Sequence, residues 1–311
     1  MKDERFASAP SVKSRRLNVL PENPDKGAIG RFPSWLHRKM PEGNSLWSTH
    51  DAIDCLPTVC EEAKCPNLLE CWSAKTATFL ALGKECTRNC GFCDINFDAH
   101  PAIPDENEPM RIADSAKKLG LKHVVVTMVA RDDLPDGGAA HIAAIIHEVK
   151  KIATIEVLTS DFSGNERALE VVLDAKPDIF NHNIETVERL TSRVRHKAQY
   201  ERTLRLLQKA SQSQTLTKSG LMVGLGEEIF EVEKTIEDLY NAGCRIITIG
   251  QYLQPNRRKL RVKSFVTPKQ FEEFAAYGKK IGVPFVYAGP FVRSSYNAAA
   301  VFEALNGSKN V

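Results

Sequence analysis

The sequence lacks any run of about 18 apolar residues, the length a helix needs to cross a bilayer, so no membrane span is expected in its 311 residues. It also lacks a strong charge of one sign. The 42 Lys and Arg stand against 39 Asp and Glu, a net +3, too small an excess to nominate nucleic acid or an anionic membrane as a partner. Residues 1–20 hold Lys2, Asp3, Glu4, Arg5, Lys13, Arg15 and Arg16 but no apolar segment of a secretory signal. The acidic pair counts against an organellar transit segment, and a cytoplasmic location is expected. There is no tandem repeat or low-complexity tract. What is present, 42% hydrophobic and 26% charged residues, suits one well-cored domain of catalytic size.

Cysteine is scarce except in one place, since seven of the eight fall between residues 55 and 93 and only Cys244 stands apart. A disulfide framework belongs to small secreted chains, whereas in a reducing compartment clustered thiols read as metal ligands. Cys86, Cys90 and Cys93 put three thiolates on one short connection. Soft thiolates suit an iron–sulfur cluster or zinc, and zinc would need a fourth donor, for which Asp94 and His100 are nearest. Thr78 to Leu82 reads as a buried strand just upstream, and catalytic loops of α/β barrels follow their strands. A second triplet, Cys60, Cys65 and Cys71, precedes this one and by itself also admits a zinc knot. Cys55 and Cys244 read as structural, the latter as a small buried residue before a strand.

The C-x3-C-x2-C spacing, with Phe92 before the last cysteine, resembles the signature of the radical S-adenosylmethionine superfamily. That resemblance implies a [4Fe-4S] cluster on Cys86, Cys90 and Cys93 whose open iron binds S-adenosylmethionine and splits it to a 5'-deoxyadenosyl radical. The C-x4-C-x5-C triplet ahead of it, with Glu61, Glu62, Ala63, Pro66, Asn67 and Glu70 between and around its cysteines, closely resembles the lipoyl synthase family over nearly the whole chain. This implies a second, auxiliary [4Fe-4S] cluster on Cys60, Cys65 and Cys71. Arg293-Ser294-Ser295-Tyr296 resembles the motif that supplies its fourth ligand, which assigns Ser295 to the iron, Ser294 as the adjacent alternative, and Arg293 and Tyr296 to support or cover the site.

Residues 1–50, with Pro10, Pro21, Pro24, Pro33 and Pro41, read as an extended arm that Trp35, Leu36 and Trp47 would dock. Residues 51–77 read as the auxiliary-cluster extension, 78–287 as the barrel core and 288–311 as a C-terminal segment with the serine ligand. Strands are expected at Thr78 to Leu82, His123 to Met128, Thr154 to Leu158, Ile179 to Asn183, Thr217 to Val223, Arg245 to Ile249 and Val283 to Tyr287. Helical stretches alternate with them. Six or seven such units are fewer than a closed eight-stranded barrel uses. The expected fold is therefore α/β, a partial (β/α)6 barrel of the radical type, with an open doubly wound sheet as the alternative.

Further site residues rest on strand-end position and on the family resemblance. The turn containing Arg131, Asp132, Gly137 and Gly138 resembles the family's loop near S-adenosylmethionine. Asn181, Asn183 and Glu185 alternate at the end of one strand, where polar residues face the reaction chamber; Asn183 and Glu185 are assigned to line the cofactor, and His182 reads as a hydrogen-bonded core residue. Lys218 or Glu227 is a candidate to face the chamber, and Met222 reads as packing. The Lys218–Glu227 stretch lacks the order of a phosphate loop, so ATP binding does not follow. The run Arg257, Arg258, Lys259, Arg261 and Lys263 is a solvated basic face or a surface for an acidic carrier protein.

By resemblance, the expected reaction is radical insertion of two sulfurs, at C6 and C8, into an octanoyl-lysine, with sulfide from the auxiliary cluster. The implied partners are octanoylated lipoyl domains of 2-oxoacid dehydrogenase E2 subunits, glycine-cleavage H protein, a low-potential donor such as flavodoxin or ferredoxin, and an iron–sulfur carrier. Biotin synthase and methylthiotransferases are the neighbouring enzymatic readings. A noncatalytic iron–sulfur or zinc protein that binds an acyl carrier is the non-enzymatic one.

Overall fold

The structure, a computed structural model, describes residues 32–37, 45–53, 56–73, 76–213 and 215–295, with backbone alone for 45–48. Cys55, Tyr296, the expected helix after it and the Trp47 side chain lie outside the described residues. A 3-10 turn at Ser34–Leu36 and three helices, α1 (Ser45–Ile53), α2 (Val59–Glu62) and α3 (Leu68–Ser73), precede β1 (Thr78–Ala81). Two short strands follow, β2 (Glu85–Cys86) and β3 (Asn96–Phe97). The chain then alternates: α4 (Glu108–Leu119), β4 (His123–Met128), α5 (Ala139–Val149), β5 (Thr154–Leu158), α6 (Glu166–Asp174) and β6 (Ile179–Asn181). It continues through α7 (Thr191–Val194), α8 (Tyr200–Ser211), β7 (Leu216–Val223), α9 (Ile229–Asn241), β8 (Ile246–Gln251), α10 (Pro268–Lys280) and β9 (Phe285–Gly289).

The larger sheet runs β1-β4-β5-β6-β7-β8-β9, and every pairing in it is parallel. Strand order follows chain order with no reversal, whereas a doubly wound sheet reverses at a switch point. That alternative is thereby excluded. Six βα units and a seventh strand make a partial barrel whose edges are β1 and β9.

The helices cover the sheet because their apolar residues recur at helical spacing. In α8, Tyr200, Thr203, Leu206, Leu207 and Ala210 are buried, one face of a 3.6-residue period. Their ends carry local signals: the Asn165 side chain accepts from the Ala168 N–H to start α6, Thr267 accepts from Gln270 N–H before Pro268 opens α10, and Gly120 at φ 69° ends α4.

Inside the barrel, beneath the mouth, lies a buried polar layer. Lys218 Nζ on β7 stands 2.9 Å from Glu156 Oε1 on β5, and Asn181 Nδ2 donates to the same carboxylate at 2.7 Å. Neither charged side chain is more than 1% exposed. Burial opposes ionisation of Glu156, but Lys218, His123 and Asn181 together hold its carboxyl below the ordinary range. A lone ion here would be untenable; the pair satisfies both.

The cysteine-bearing extension is built onto the edge strand. Thr58 forms an antiparallel bridge with Phe79, Leu80 N–H donates to Pro57 O at 2.8 Å, and Ile53, Leu56, Cys60 and Trp72 join the core around Phe79. In the middle of the sheet, β6 stops at Asn181, two residues short of expectation. The backbone turns inward there, with Glu185 at φ 67° and a bridge from Glu185 to Leu221, so Asn183 and Glu185 reach the barrel mouth from irregular chain.

Candidate active site in the barrel mouth

A cavity of about 630 Å³ opens at the C-terminal ends of the strands, within the size range of small-molecule sites. Cys86, Cys90 and Cys93 line it. They sit on the connection leaving β1, and Cys86 closes the short β2–β3 pairing. Burial raises the Cys90 thiol and pushes Cys93 up to about 12, and the neighbouring thiols add to both shifts. Without a cation beside them, the Cys90 and Cys93 thiols stay protonated. Three cysteines lining one cavity are a donor set that suits a thiolate-bound metal cluster.

Of the first triplet, Cys65 lines the same cavity. Cys60 is buried behind it, pushed up to about 11 by desolvation with a contribution from Cys65, and Cys71 is half-buried away from the cavity wall. No three His, Cys, Asp or Glu side chains among the described residues converge on a single-ion position. Ser294 and Ser295 enter from the other side and line the cavity with Arg293. They are held there by two links. Asn67 Nδ2, from between Cys65 and Cys71, donates to Phe291 O at 2.8 Å, and Ser294 Oγ donates to Asn183 Oδ1 at 2.8 Å. A side chain at Gly250 would collide with the Val292 carbonyl, so glycine there lets the C-terminal segment lie against β8.

Asn183 and Glu185 also line the cavity. Asn183 Nδ2 donates to Glu185 Oε1 at 3.0 Å, and Arg195 donates to the Asn183 carbonyl at 2.8 Å. Burial raises the Glu185 carboxyl despite Arg195, Asn183 and Arg293. His182 is on the cavity wall yet fully engaged, through Nδ1 with Thr159 O at 2.8 Å and Nε2 with Thr203 Oγ1 at 3.3 Å.

Arg131, Asp132, Gly137 and Gly138, expected on the loop near S-adenosylmethionine, are not among the residues that line the cavity. Arg131 is buried and spent on Asp133 at 2.8 Å and Leu82 O at 3.1 Å. Gly137 and Gly138, at φ 62° and 88°, make the left-handed turn into α5. Asp132 acts one step back. It accepts from Arg88 Nη2 at 2.7 Å, and although burial opposes its ionisation, Arg88 holds it down at about 2. Arg88 Nη1 also meets the fully buried Asp161 at 2.7 Å, so the cysteine loop is anchored from within.

Lys218 lies in the layer below, Glu227 accepts from the Gly224 and Leu225 N–H groups, and Met222, expected only to pack, lines the cavity. Phe32 and Leu36 line the chamber, and Phe32 meets Phe265 edge-on at 5.8 Å, which gives the arm its docking place. Sequence reading missed Arg88, Arg195 and Lys64. Arg88 and Lys64 sit between motif cysteines, a signal that was available; Arg195 carries none.

A family model described as the radical SAM superfamily matches residues 80–239, and the chain is a member of that superfamily. The fold is shared with SuiB of Streptococcus suis bound to S-adenosylmethionine, at a TM-score of 0.56 and 11% identity over 71% of this chain and 53% of that one. It is also shared with methylornithine synthase (PylB), at 0.50 and 13% over 70% and 73%. The lipoyl synthase of Protochlamydia amoebophila (strain UWE25) is 60% identical over 95% of this chain and 96% of that protein. That of Chlamydia trachomatis serovar D is 55% identical over 91% and 93%. The chain belongs to the lipoyl synthase family.

Proposed function

We propose that this chain inserts two sulfur atoms, at C6 and C8, into an octanoyl chain carried on a lysine of a lipoyl domain or of glycine-cleavage H protein. The observation that carries the reading is that both cysteine segments and the C-terminal serines meet around one chamber. Family membership implies S-adenosylmethionine and iron–sulfur clusters. Cys86, Cys90 and Cys93 would hold one cluster, and Cys60, Cys65, Cys71 and Ser295 the auxiliary one. When bound, the first supplies reductive cleavage of S-adenosylmethionine to a carbon radical and the second supplies sulfide.

The protein's own part is placement and exclusion. Asn183, Glu185 and Arg195 offer the polar wall a zwitterionic cofactor needs. Leu80, Met128, Leu158 and Met222 offer an apolar wall for an alkyl chain. Phe32 and Leu36 keep water from a radical. Asp132 fixes Arg88 and so the cysteine loop, while Arg131, Gly137 and Gly138 shape the turn behind it. His182, its pKa pushed down to about 4 chiefly by burial, stays neutral, as hydrogen-atom abstraction requires no general base.

Among the described residues no helix is long and apolar enough to cross a membrane, and we place the enzyme in the cytoplasm, where thiols stay reduced. A flavodoxin or ferredoxin would supply electrons, and an iron–sulfur carrier would rebuild the consumed cluster. The test is an anaerobic assay of cluster-loaded protein with S-adenosylmethionine, a low-potential reductant and an octanoylated lipoyl-domain peptide. Two added sulfurs in the peptide mass, with 5'-deoxyadenosine, are expected. 5'-Deoxyadenosine without sulfur insertion would remove this substrate, and neither product would favour the noncatalytic reading.

A further inference from the structure

The basic run after β8 is not a free solvated loop. Leu260 N–H donates to Gly91 O at 2.8 Å, and Lys259 Nζ reaches Asn89 Oδ1 at 3.0 Å and Cys90 O at 3.4 Å. At Gly91 an added Cβ would lie 2.9 Å from the Leu260 side chain, which would have to shift to admit it. Asn256 hydrogen-bonds Asp94, and Tyr252 OH donates to Leu260 O at 2.7 Å. The loop is thus clamped on the outer face of the Cys86–Cys93 segment.

Its remaining cations are unspent. Arg257, Arg258, Arg261 and Lys263 are exposed and have no ion-pair partner among the described residues. Beside them Leu190, Val194, Leu225 and Leu260 with Arg193, Arg261 and Lys263 line a small hollow of about 10 Å³. One-signed charge speeds encounter with an oppositely charged protein.

We infer that the face formed by Arg193 and the Asn256–Lys263 loop docks an acidic one-electron carrier protein against the Cys86–Cys93 segment. Residues 256–263 line none of the chamber an acyl chain would enter, the lining ending at Pro255 just before them. An electron needs only proximity, and this loop touches the cysteine segment directly. One electron leaves the carrier, which is oxidised by one equivalent, and reduces the centre held by Cys86, Cys90 and Cys93 by one. The inference rests on the radical reading above.

The experiment uses cluster-loaded enzyme, an acidic flavodoxin as the probe, and a variant carrying Arg257→Glu, Arg258→Glu, Arg261→Glu and Lys263→Glu. Binding of oxidised flavodoxin at low salt should weaken about tenfold or more and lose its salt dependence, and stopped-flow cluster reduction by reduced flavodoxin should slow alike. Dithionite-driven turnover and the KM for an octanoylated lipoyl domain should not change. A variant with lysine at the three arginines should bind as the parent does. Unchanged flavodoxin binding would overturn the inference, and so would a raised KM for the lipoyl domain under dithionite, which would give this face to the substrate. Absence of dithionite-driven turnover in the parent would instead sink the proposed reaction, while flavodoxin binding would still read the docking face.

Discussion

Lys64 Nζ lies 2.7 Å from Asp94 Oδ2, a bond that joins the two cysteine segments directly. Lys64 immediately precedes Cys65, and Asp94 immediately follows Cys93. Asp94 is almost fully buried and also holds Asn256, so one carboxylate sets the extension, the cysteine loop and the β8–α10 loop against each other.

Sulfur transfer depends on the distance between a substrate radical and the sulfur source, and a misplacement near 1 Å costs a radical step heavily. Asp94→Ala is therefore expected to lower the ratio of inserted sulfur to 5'-deoxyadenosine about tenfold or more, leaving S-adenosylmethionine cleavage in place. Asp94→Asn, which keeps a partner for Asn256, should fall between. Both products are quantified in the same reaction by mass spectrometry, and an unchanged ratio would show that the bond does not set cluster spacing.

The Lys218–Glu156 pair makes a stability prediction. Lys218→Met leaves a fully buried carboxylate without its cation and should cost about 3–5 kcal/mol. Lys218→Met combined with Glu156→Leu should recover most of that loss, since a well-packed apolar pair is often as stable as a buried ion pair. Urea midpoints of the single and double variants decide it; equal midpoints would mean the barrel floor admits water.

Much of this architecture was legible beforehand. His123–Met128 and Thr154–Leu158 appear where their β-branched runs end, because a strand buried on both faces writes its limits as an apolar run. β9 slipped to Phe285–Gly289, since an edge strand with half-exposed residues carries weaker pattern. The cysteines were legible through spacing, a local property. What could not be read were long-range pairings: that Asp132 would be spent on Arg88, that Met222 would turn to the chamber, and that Phe32 would line it. Each depends on barrel closure rather than on neighbours in sequence.

His182 gives a pH prediction. In the unfolded chain its imidazole takes a proton near 6.5, whereas burial, reinforced by Arg195, lowers the folded value to about 4. Between these values the unfolded state binds more protons, so stability is complete above pH 6.5 and declines as pH falls towards 4, by on the order of 3 kcal/mol. Asp132, held at about 2, contributes its own loss only at lower pH. Unfolding free energies at pH 7, 5.5 and 4.5 should show this slope, and His182→Asn should flatten it; an equal slope in the variant would assign it elsewhere.

The two adjacent serines should separate cleanly. Ser294 Oγ is committed to Asn183 at 2.8 Å, a hydrogen bond worth about 1 kcal/mol, whereas Ser295 lines the cavity with no hydrogen bond among the described residues. Ser294→Ala should loosen the C-terminal segment and reduce sulfur insertion only severalfold. Ser295→Ala should remove a ligand to the auxiliary cluster, abolish insertion of the second sulfur and leave 5'-deoxyadenosine formation measurable. A thiolate binds iron more tightly than a hard hydroxyl. Ser295→Cys should therefore load its cluster fully, by iron and sulfide analysis, yet release sulfide more slowly than the parent. If Ser294→Ala were the variant that lost insertion and Ser295→Ala were active, the ligand assignment would pass to Ser294 and the Asn183 bond would have to open when the cluster binds.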